Sequence, residues 1–217
     1  MRTLGTNYYK RDFWIEENLN YVGPHYRLEK CARLVNKIAG GEQRDLLDVG
    51  CGPGALRKLL HSNINYYGID IAVHEPAPNL IQSDFLENEI GFNDKHFDII
   101  VAQGVFEYVG RFQSQKFSEI QRILNPDGRF VVSYLNFDHI KRKVLPIYNN
   151  IQSIGEFKRS LGRFFVIENF FPTSHHWRHK EPGRRITQRV QMRINANIPF
   201  ISPRVAVQYF FICSLDH

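Results

Sequence analysis

Short apolar runs alternate along the chain with stretches of helical periodicity, an arrangement typical of strand–helix–strand units. Apolar positions between Tyr26 and Ala39 recur with helical spacing, and Gly40-Gly41 supplies a C-terminal stop. A short helix ending near Leu60 is also expected. Apolar runs in this half predict four buried strands, which are Leu46–Val49, Asn65–Ile71, Asn79–Gln82 and Phe97–Gln103.

The second half continues the same pattern. An amphipathic helix is predicted over Arg111–Leu124, and a turn at Asn125-Pro126-Asp127-Gly128 leads into a fifth strand, Arg129–Leu135. Seven strands with intervening helices predict a doubly wound α/β sheet that is mostly parallel, with an antiparallel last strand. The remaining predicted elements are helices at Asp138–Asn150 (interrupted at Pro146) and Ser153–Leu161, and strands at Phe164–Phe171 and Arg204–Cys213.

The composition is that of a globular protein, and we expect one domain over residues 1–217. Of the 217 residues, 43% are hydrophobic and 23% are charged, which excludes disorder and collagen-like structure. No run reaches the ~18 apolar residues of a membrane span, and the first residues lack the apolar stretch of a secretory signal. Three cysteines without metal-ligand spacing predict no disulfide framework, no zinc site and a cytoplasmic location.

Positive charge is concentrated in residues 172–203, an insertion before the last predicted strand. Alternation around Val190 suits a half-buried strand, while the spacing of Ile186, Val190 and Ile194 equally suits a helix. The segment is interpreted either as a lid that recognises an anionic substrate or as a solvated basic face. Its histidines have no accompanying carboxylate or cysteine spacing, so no metal site is predicted. Most of the net charge of +6 comes from six residues opposed by a single acid, Glu181: Arg178, Lys180, Arg184, Arg185, Arg189 and Arg193.

The chemically most informative segment is Asp48-Val49-Gly50-Cys51-Gly52-Pro53-Gly54, directly after the first predicted strand. Closely spaced glycines let a ligand lie against the main chain, and the following helix presents free N–H groups. Asp70 ends the second strand, where a carboxylate can accept both hydroxyls of a ribose. A dinucleotide fingerprint would use Gly50, Gly52 and Ala55. Asp48 disfavours that alternative, because an anion there suits a cationic ligand better than a pyrophosphate.

With these motifs, residues 28–136 resemble the class I S-adenosylmethionine-dependent methyltransferases, which have a Rossmann-like fold. The family's first motif, acid-x-Gly-x-Gly-x-Gly, is matched by Asp48, Gly50, Gly52 and Gly54. The resemblance implies that S-adenosylmethionine is the cofactor and S-adenosylhomocysteine the product. The further cofactor-binding residues that it implies are the ribose acid Asp70, the adenine-edge acid Asp84, the ring-flanking Ile71 and Phe85, and Gln103 beside the methionine portion.

Candidate acceptor-site residues follow the fourth and fifth strands, because ligands of such sheets bind beyond the C-terminal strand ends. The family often has an acid followed by His after the fourth strand, whereas here Glu107 is followed by Tyr108. Tyr108 and His139 are the two candidate catalytic residues, acting on the acceptor's proton. Glu107 is interpreted as a structural hydrogen-bonding acid. Arg27 is a candidate partner of the cofactor carboxylate, and the aromatic residues within 1–25 are predicted to form a flap over the site.

The predicted function is transfer of a methyl group to an O, N or C atom of a small molecule, with an anionic acceptor suggested by residues 172–203. Two alternatives stay open: a nucleic-acid methyltransferase that contacts phosphates through the basic insertion, and a cofactor-binding protein without catalysis. The fourth strand continues as Gln103-Gly104-Val105-Phe106, without the Asn/Asp-Pro-Pro-aromatic motif of enzymes that methylate base amino groups.

Overall fold

A computed structural model of the chain describes residues 26–72, 77–140, 148–180, 187–192 and 198–216. The expected flap over residues 1–25 lies outside these ranges. The strands within them are β1 (Arg44–Val49), β2 (Ile64–Asp70), β3 (Leu80–Gln82), β4 (Phe97–Gln103), β5 (Leu124–Leu135), β6 (Val166–Pro172), β7 (His175–Lys180), β8 (Thr187–Met192) and β9 (Gln208–Ser214).

Seven of these strands form one sheet in the order β3-β2-β1-β4-β5-β9-β6. The pairings from β3 through β5 are all parallel, and β9 runs antiparallel to both of its neighbours. The chain therefore has the predicted doubly wound sheet with an antiparallel last strand. Its order reverses between β1 and β4, and such a switch point opens a crevice at the C-terminal strand ends.

The helices are α1 (Tyr26–Ala39), α2 (Gln113–Ile123), α3 (Phe137–Ile140), α4 (Ile154–Leu161) and α5 (Ser202–Val205). Ser153 caps α4: its hydroxyl accepts the Glu156 N–H at 3.2 Å, and its own N–H donates to the Glu156 carboxylate at 2.8 Å. In the part of the chain that the structure describes, no helix combines the length and apolar character needed to cross a bilayer.

Both faces of the sheet are covered by apolar packing, which explains why its central strands read as continuous hydrophobic runs. Neighbouring residues of β1 belong to different sides: Leu46 packs with Cys31 and Val35 of α1, whereas Leu47 packs with Phe117 of α2. Ile99 and Ile100 of β4 divide in the same way. Helices on opposite faces thus bury the strands from two sides and leave the strand ends for the site.

Three local predictions require correction. The helix after the glycine turn is a 3-10 helix, Ala55–Leu59. The predicted turn at 125–128 is an irregular section of β5, because Phe97 pairs with Leu124 while Ile99 pairs with Arg129. The last strand does not begin at Arg204, since Pro203 lies in the first turn of α5, where its missing N–H costs nothing. Of the helix predicted over 138–150, residues 138–140 belong to α3 and residues 148–150 are not helical, while residues 141–147 lie outside the described part.

The basic insertion contains a two-stranded antiparallel sheet, β7 paired with β8. The strand interpretation of Val190 is therefore correct and the helical alternative is wrong. Arg178 lies directly opposite Arg189 in the register of this hairpin. An isolated bridge between His175 and Ala206 connects the first residue of the hairpin to the segment before β9.

Candidate functional site

The glycine turn between β1 and the 3-10 helix has a backbone that only glycine adopts without strain. Gly50, Gly52 and Gly54 have φ values of 70°, 53° and 68°, in the left-handed region. A Cβ added at Gly50 would lie 2.5 Å from Cγ2 of Val105. The N–H groups of Gly50 and Cys51 donate to the Ile69 carbonyl at 2.8 and 3.1 Å, which ties the turn to β2. The turn is thus a bare, fixed main-chain cradle at the C-terminal end of the sheet.

Asp70 lies against this cradle. Its Oδ2 accepts the Gly52 N–H at 2.8 Å, and its Oδ1 accepts the Ala72 N–H at 2.9 Å. These two N–H bonds orient both carboxylate oxygens with respect to the glycine turn. A carboxylate oriented in this way beside a glycine turn is chemically suited to a vicinal diol, and its role as the ribose ligand stays a prediction.

Asp48, the acid that opens the glycine motif, is buried and bonded within the protein. The Tyr66 hydroxyl donates to its Oδ2 at 2.8 Å, and the residue is only 4% exposed. Burial raises the pKa of Asp48 to about 7, the Tyr66 hydrogen bond lowers it, and the charge of Asp70 raises it further. Its hydrogen bond to Tyr66 ties the carboxyl group into the protein, and its role opposite a cationic ligand stays a prediction.

The segment after β3 holds the predicted adenine-side residues. Oδ1 of Asp84 accepts the Leu86 N–H at 2.8 Å, which fixes the turn behind the carboxylate. Phe85 is 9% exposed, and its ring lies edge-on to Phe106 with centroids 6.2 Å apart. Its ring therefore packs into the core and offers little surface to flank a ligand, whereas Ile71, directly after β2, stays partly exposed.

Beyond the end of β4, Gln103 is partly exposed and Gly104 turns the chain with a φ of 66°. Glu107 is fully buried, and its Oε1 accepts the Leu135 N–H at 2.8 Å. Within the described ranges its Oε2 has no hydrogen-bond partner. Burial raises the pKa of Glu107 to about 7, which backbone hydrogen bonds and the charge of Arg27 partly oppose. The predicted structural role is consistent with the Leu135 bond. Tyr108 packs against Tyr148 with ring centroids 5.3 Å apart.

His139 lies on α3, directly after β5. Its Nδ1 is 2.6 Å from the carbonyl oxygen of Arg204. A carbonyl only accepts hydrogen bonds, so this contact requires the proton on Nδ1 and leaves Nε2 as an acceptor in the neutral ring. Asn136 anchors the same region, since its side-chain amide donates to the Pro203 and Ala206 carbonyls at 3.0 and 2.9 Å.

Arg27 takes part in a polar chain across the ends of α1, β9, β5 and β4. Its Nη1 donates to Gln208 Oε1 at 3.3 Å, and Gln208 Nε2 donates to Ser133 Oγ at 2.8 Å. The Gly104 N–H also donates to Ser133 Oγ, at 3.0 Å. Sequence reasoning missed Gln208 and Ser133. The available signal was a single Ser or Gln inside each otherwise apolar and aromatic run, FVVSYL and VQYFFIC.

The structure brings the predicted residues together in two groups. The first comprises the glycine turn and Asp70, and the second comprises Arg27, the chain beyond β4, and His139 at the ends of β4, β5 and β9. Among the described residues there is no group of three or more His, Cys, Asp or Glu side chains arranged to hold a metal ion.

Comparisons with known proteins agree with this arrangement. The sequence profile of a family described as "Methyltransferase domain" matches residues 24–190. The malonyl-(acyl-carrier protein) O-methyltransferase of Calditerrivibrio nitroreducens is 29% identical over 176 residues, which cover 73% of this chain and 70% of that protein. The ubiquinone biosynthesis O-methyltransferase of Rickettsia bellii is 29% identical over 58% of this chain, and the match spans 55% of its own length.

A solved structure described as a SAM-dependent methyltransferase from Archaeoglobus fulgidus superimposes with a TM-score of 0.62 at 16% sequence identity. The superposition covers 90% of this chain and 96% of that one. This likeness agrees with the fold that the strand order already defines.

Proposed function

The chain belongs to the methyltransferase-domain family, and on that premise we propose that it transfers a methyl group from S-adenosylmethionine to a hydroxyl oxygen of a small molecule. S-adenosylmethionine is the cofactor of this enzyme, and S-adenosylhomocysteine is the product that it leaves. The two O-methyltransferases among the relatives support an oxygen acceptor. The acceptor's anionic character, inferred from residues 172–203, stays a prediction.

The residues present fit this cofactor. We propose that the cofactor lies directly against the main chain of Gly50, Gly52 and Gly54. Their positive φ values disfavour any residue with a side chain, and at Gly50 a Cβ would also clash with Val105. Asp70 is the proposed partner of the ribose hydroxyls, since backbone N–H groups already orient its carboxylate. The further proposed contacts are Ile71 and Asp84 beside the adenine, and Gln103 and Arg27 beside the methionine portion.

Bound S-adenosylmethionine supplies an activated methyl group, so the protein's main tasks are to align the acceptor and to remove its proton. A hydroxyl acceptor needs a base, and the single observation that carries our proposal is the contact of His139 Nδ1 with the Arg204 carbonyl. This contact leaves Nε2 of the neutral ring as the proton acceptor. His139 lies directly after β5, on the side where such sheets bind their ligands.

Tyr108 is the weaker candidate for the same role. Its ring packs against Tyr148, and its carbonyl accepts from Asn149 Nδ2 at 3.4 Å. These contacts support a role for Tyr108 in lining the acceptor side, where an aromatic ring helps to exclude water. His139 is therefore the residue that we propose as general base.

The proposal is tested by turnover with labelled S-adenosylmethionine and two acceptor probes, catechol for a hydroxyl and monomethyl malonate for a carboxylate. We expect label in the aryl ether, and we expect His139→Gln to lower kcat by about 10²- to 10⁴-fold. The affinity for S-adenosylmethionine should stay unchanged by calorimetry, and added imidazole should partly restore turnover of His139→Ala. Label in the malonate ester alone, or an unchanged kcat in His139→Gln, would contradict a hydroxyl acceptor and a histidine base.

The two alternatives are separated in the same assays. A nucleic-acid acceptor predicts labelled RNA and an RNA affinity that falls steeply with salt. A protein without catalysis predicts tight cofactor binding and no labelled product with any probe.

A further inference from the structure

A turn before α5 holds a large apolar side chain in solvent. Phe200 is 83% exposed and has a φ of 62°, and the next residue, Ile201, is 43% exposed. A bulky residue in the left-handed region is strained, and such strain persists only where the surroundings impose it. The exposed pair is therefore built into the turn.

The turn is held by a compact set of hydrogen bonds. The Ile198 N–H donates to Ser202 Oγ at 2.7 Å, and the Ser202 N–H donates back to the Ile198 carbonyl at 2.9 Å. The Ile201 N–H donates to the Pro199 carbonyl at 2.8 Å. These bonds fix the backbone on both sides of Phe200, so its exposure is a property of an ordered turn.

The same turn is attached to the basic hairpin. Nε2 of His175, the first residue of β7, lies 2.7 Å from Ser202 Oγ, and both residues are fully buried. Phe200 thus lies at the base of the β7–β8 hairpin. The described surface next to it also carries a positive charge, because Arg204 on α5 is exposed.

The hairpin strands carry only positive formal charge. Arg178 and Lys180 in β7 and Arg189 in β8 have no acidic residue beside them in either strand. Arg178 and Arg189 are paired in the register of the hairpin, so two formal positive charges share one position along it. An anionic surface is complementary to this excess of positive formal charge.

The turn also borders the acceptor side of the enzyme. The Pro203 carbonyl accepts from Asn136, and the Arg204 carbonyl contacts His139. Whatever the hairpin and turn bind is therefore brought next to the end of β5.

We propose that Phe200, Ile201 and Arg204, together with the strands β7 and β8, form a docking surface for an anionic lipid bilayer. An aromatic side chain that protrudes fits insertion at the headgroup boundary better than a rigid protein surface, while lysine and arginine are attracted to acidic headgroups. The inference is independent of which acceptor atom is methylated.

The test is co-sedimentation of the full chain with phosphatidylcholine vesicles, with and without 30% phosphatidylglycerol. We expect binding to the anionic vesicles that is lost in high salt, and little binding to the neutral ones. The double variant Arg178→Glu/Arg189→Glu should lower the vesicle partition coefficient at least about 25-fold, because each lost positive charge is expected to weaken binding about fivefold. The matched control is Arg33→Glu/Lys37→Glu, which reverses two exposed charges on α1.

Phe200→Asn tests the apolar contribution without a risk of misfolding, because asparagine tolerates positive φ. We expect vesicle binding to fall about tenfold or more while the thermal stability is retained or rises. Ile151→Ser, at another exposed apolar position, should leave binding unchanged. Absence of vesicle binding, equal binding to neutral vesicles, or an equal loss in Ile151→Ser overturns the proposal. Salt-sensitive binding to polyglutamate without vesicle binding also overturns it and assigns the surface to an acidic protein.

Discussion

The backbone N–H of Gly52 donates to Oδ2 of Asp70 over 2.8 Å, so the end of β2 and the glycine turn after β1 form one hydrogen-bonded unit. A left-handed φ at Gly52 accompanies this bond. The carboxylate that we assign to the ribose is therefore oriented by the same loop that offers its main chain to the cofactor. A change at Asp70 should therefore affect both the affinity for the cofactor and the conformation of the glycine turn.

Replacement of Asp70 by Ala should weaken S-adenosylmethionine binding by ~1–3 kcal/mol, because the ribose hydrogen bonds are no longer made. This corresponds to about 5- to 150-fold in Kd by calorimetry. Asp127→Ala, at an exposed acid of β5, is the matched control. An unchanged Kd in Asp70→Ala, with the fold intact by circular dichroism, would refute the assigned role.

Gly50→Ala should impair cofactor binding and folding stability more than Gly40→Ala does. Both positions have left-handed φ values, 70° and 60°, but a Cβ at Gly40 meets nothing within 4 Å while one at Gly50 lies 2.5 Å from Val105. The strain common to both is ~1–2 kcal/mol. Comparing the two variants by denaturant unfolding and by calorimetry of cofactor binding separates this backbone strain from the steric clash with Val105. Equal losses in both variants would argue against a cradle closed by Val105.

Tyr66→Phe should destabilise the fold by ~1–3 kcal/mol, because it leaves the buried Asp48 without its hydroxyl donor. The pKa of Asp48 should rise further, since the Tyr66 hydrogen bond is the contribution that lowers it. Urea unfolding measures the loss. Tyr67→Phe is the neighbouring control, and an equal effect there would assign the loss to general packing.

Glu107 should make the protein less stable as the pH rises from about 4.5 to about 7. Burial raises its folded-state pKa from 4.5 to about 7, so in this interval the folded state holds a proton that the unfolded state has released. The free energy of unfolding therefore falls with rising pH, by up to about 3 kcal/mol for this group. Glu107→Gln should flatten the slope and raise stability at pH 8, as measured by urea unfolding. Asp48 contributes in the same direction, so some slope remains. A slope as steep as in the unchanged protein would contradict this account.

The sheet was predictable because each strand is marked by a local apolar run and each parallel connection has the length that a crossover needs. Predictions failed where local pattern and tertiary context compete. Residues 204–207 have strand-like composition, yet Pro203 and the bonds to Asn136 favour α5. Phe85 lies edge-on to Phe106 in the core, and its place beside the cofactor's ring stays a prediction.

By itself, the sequence determined the fold class and the glycine turn with its acids, because these depend on residues close together in the chain and on periodic burial. Tertiary structure alone decided which distant groups meet: Arg27 reaches Gln208 across 181 residues, and His139 meets the Arg204 carbonyl across 65. It also decided which carboxyl groups are buried, and so the raised pKa values of Asp48 and Glu107. The physical reason is that hydrogen-bond geometry and desolvation depend on separation in space, which spacing along the chain does not specify.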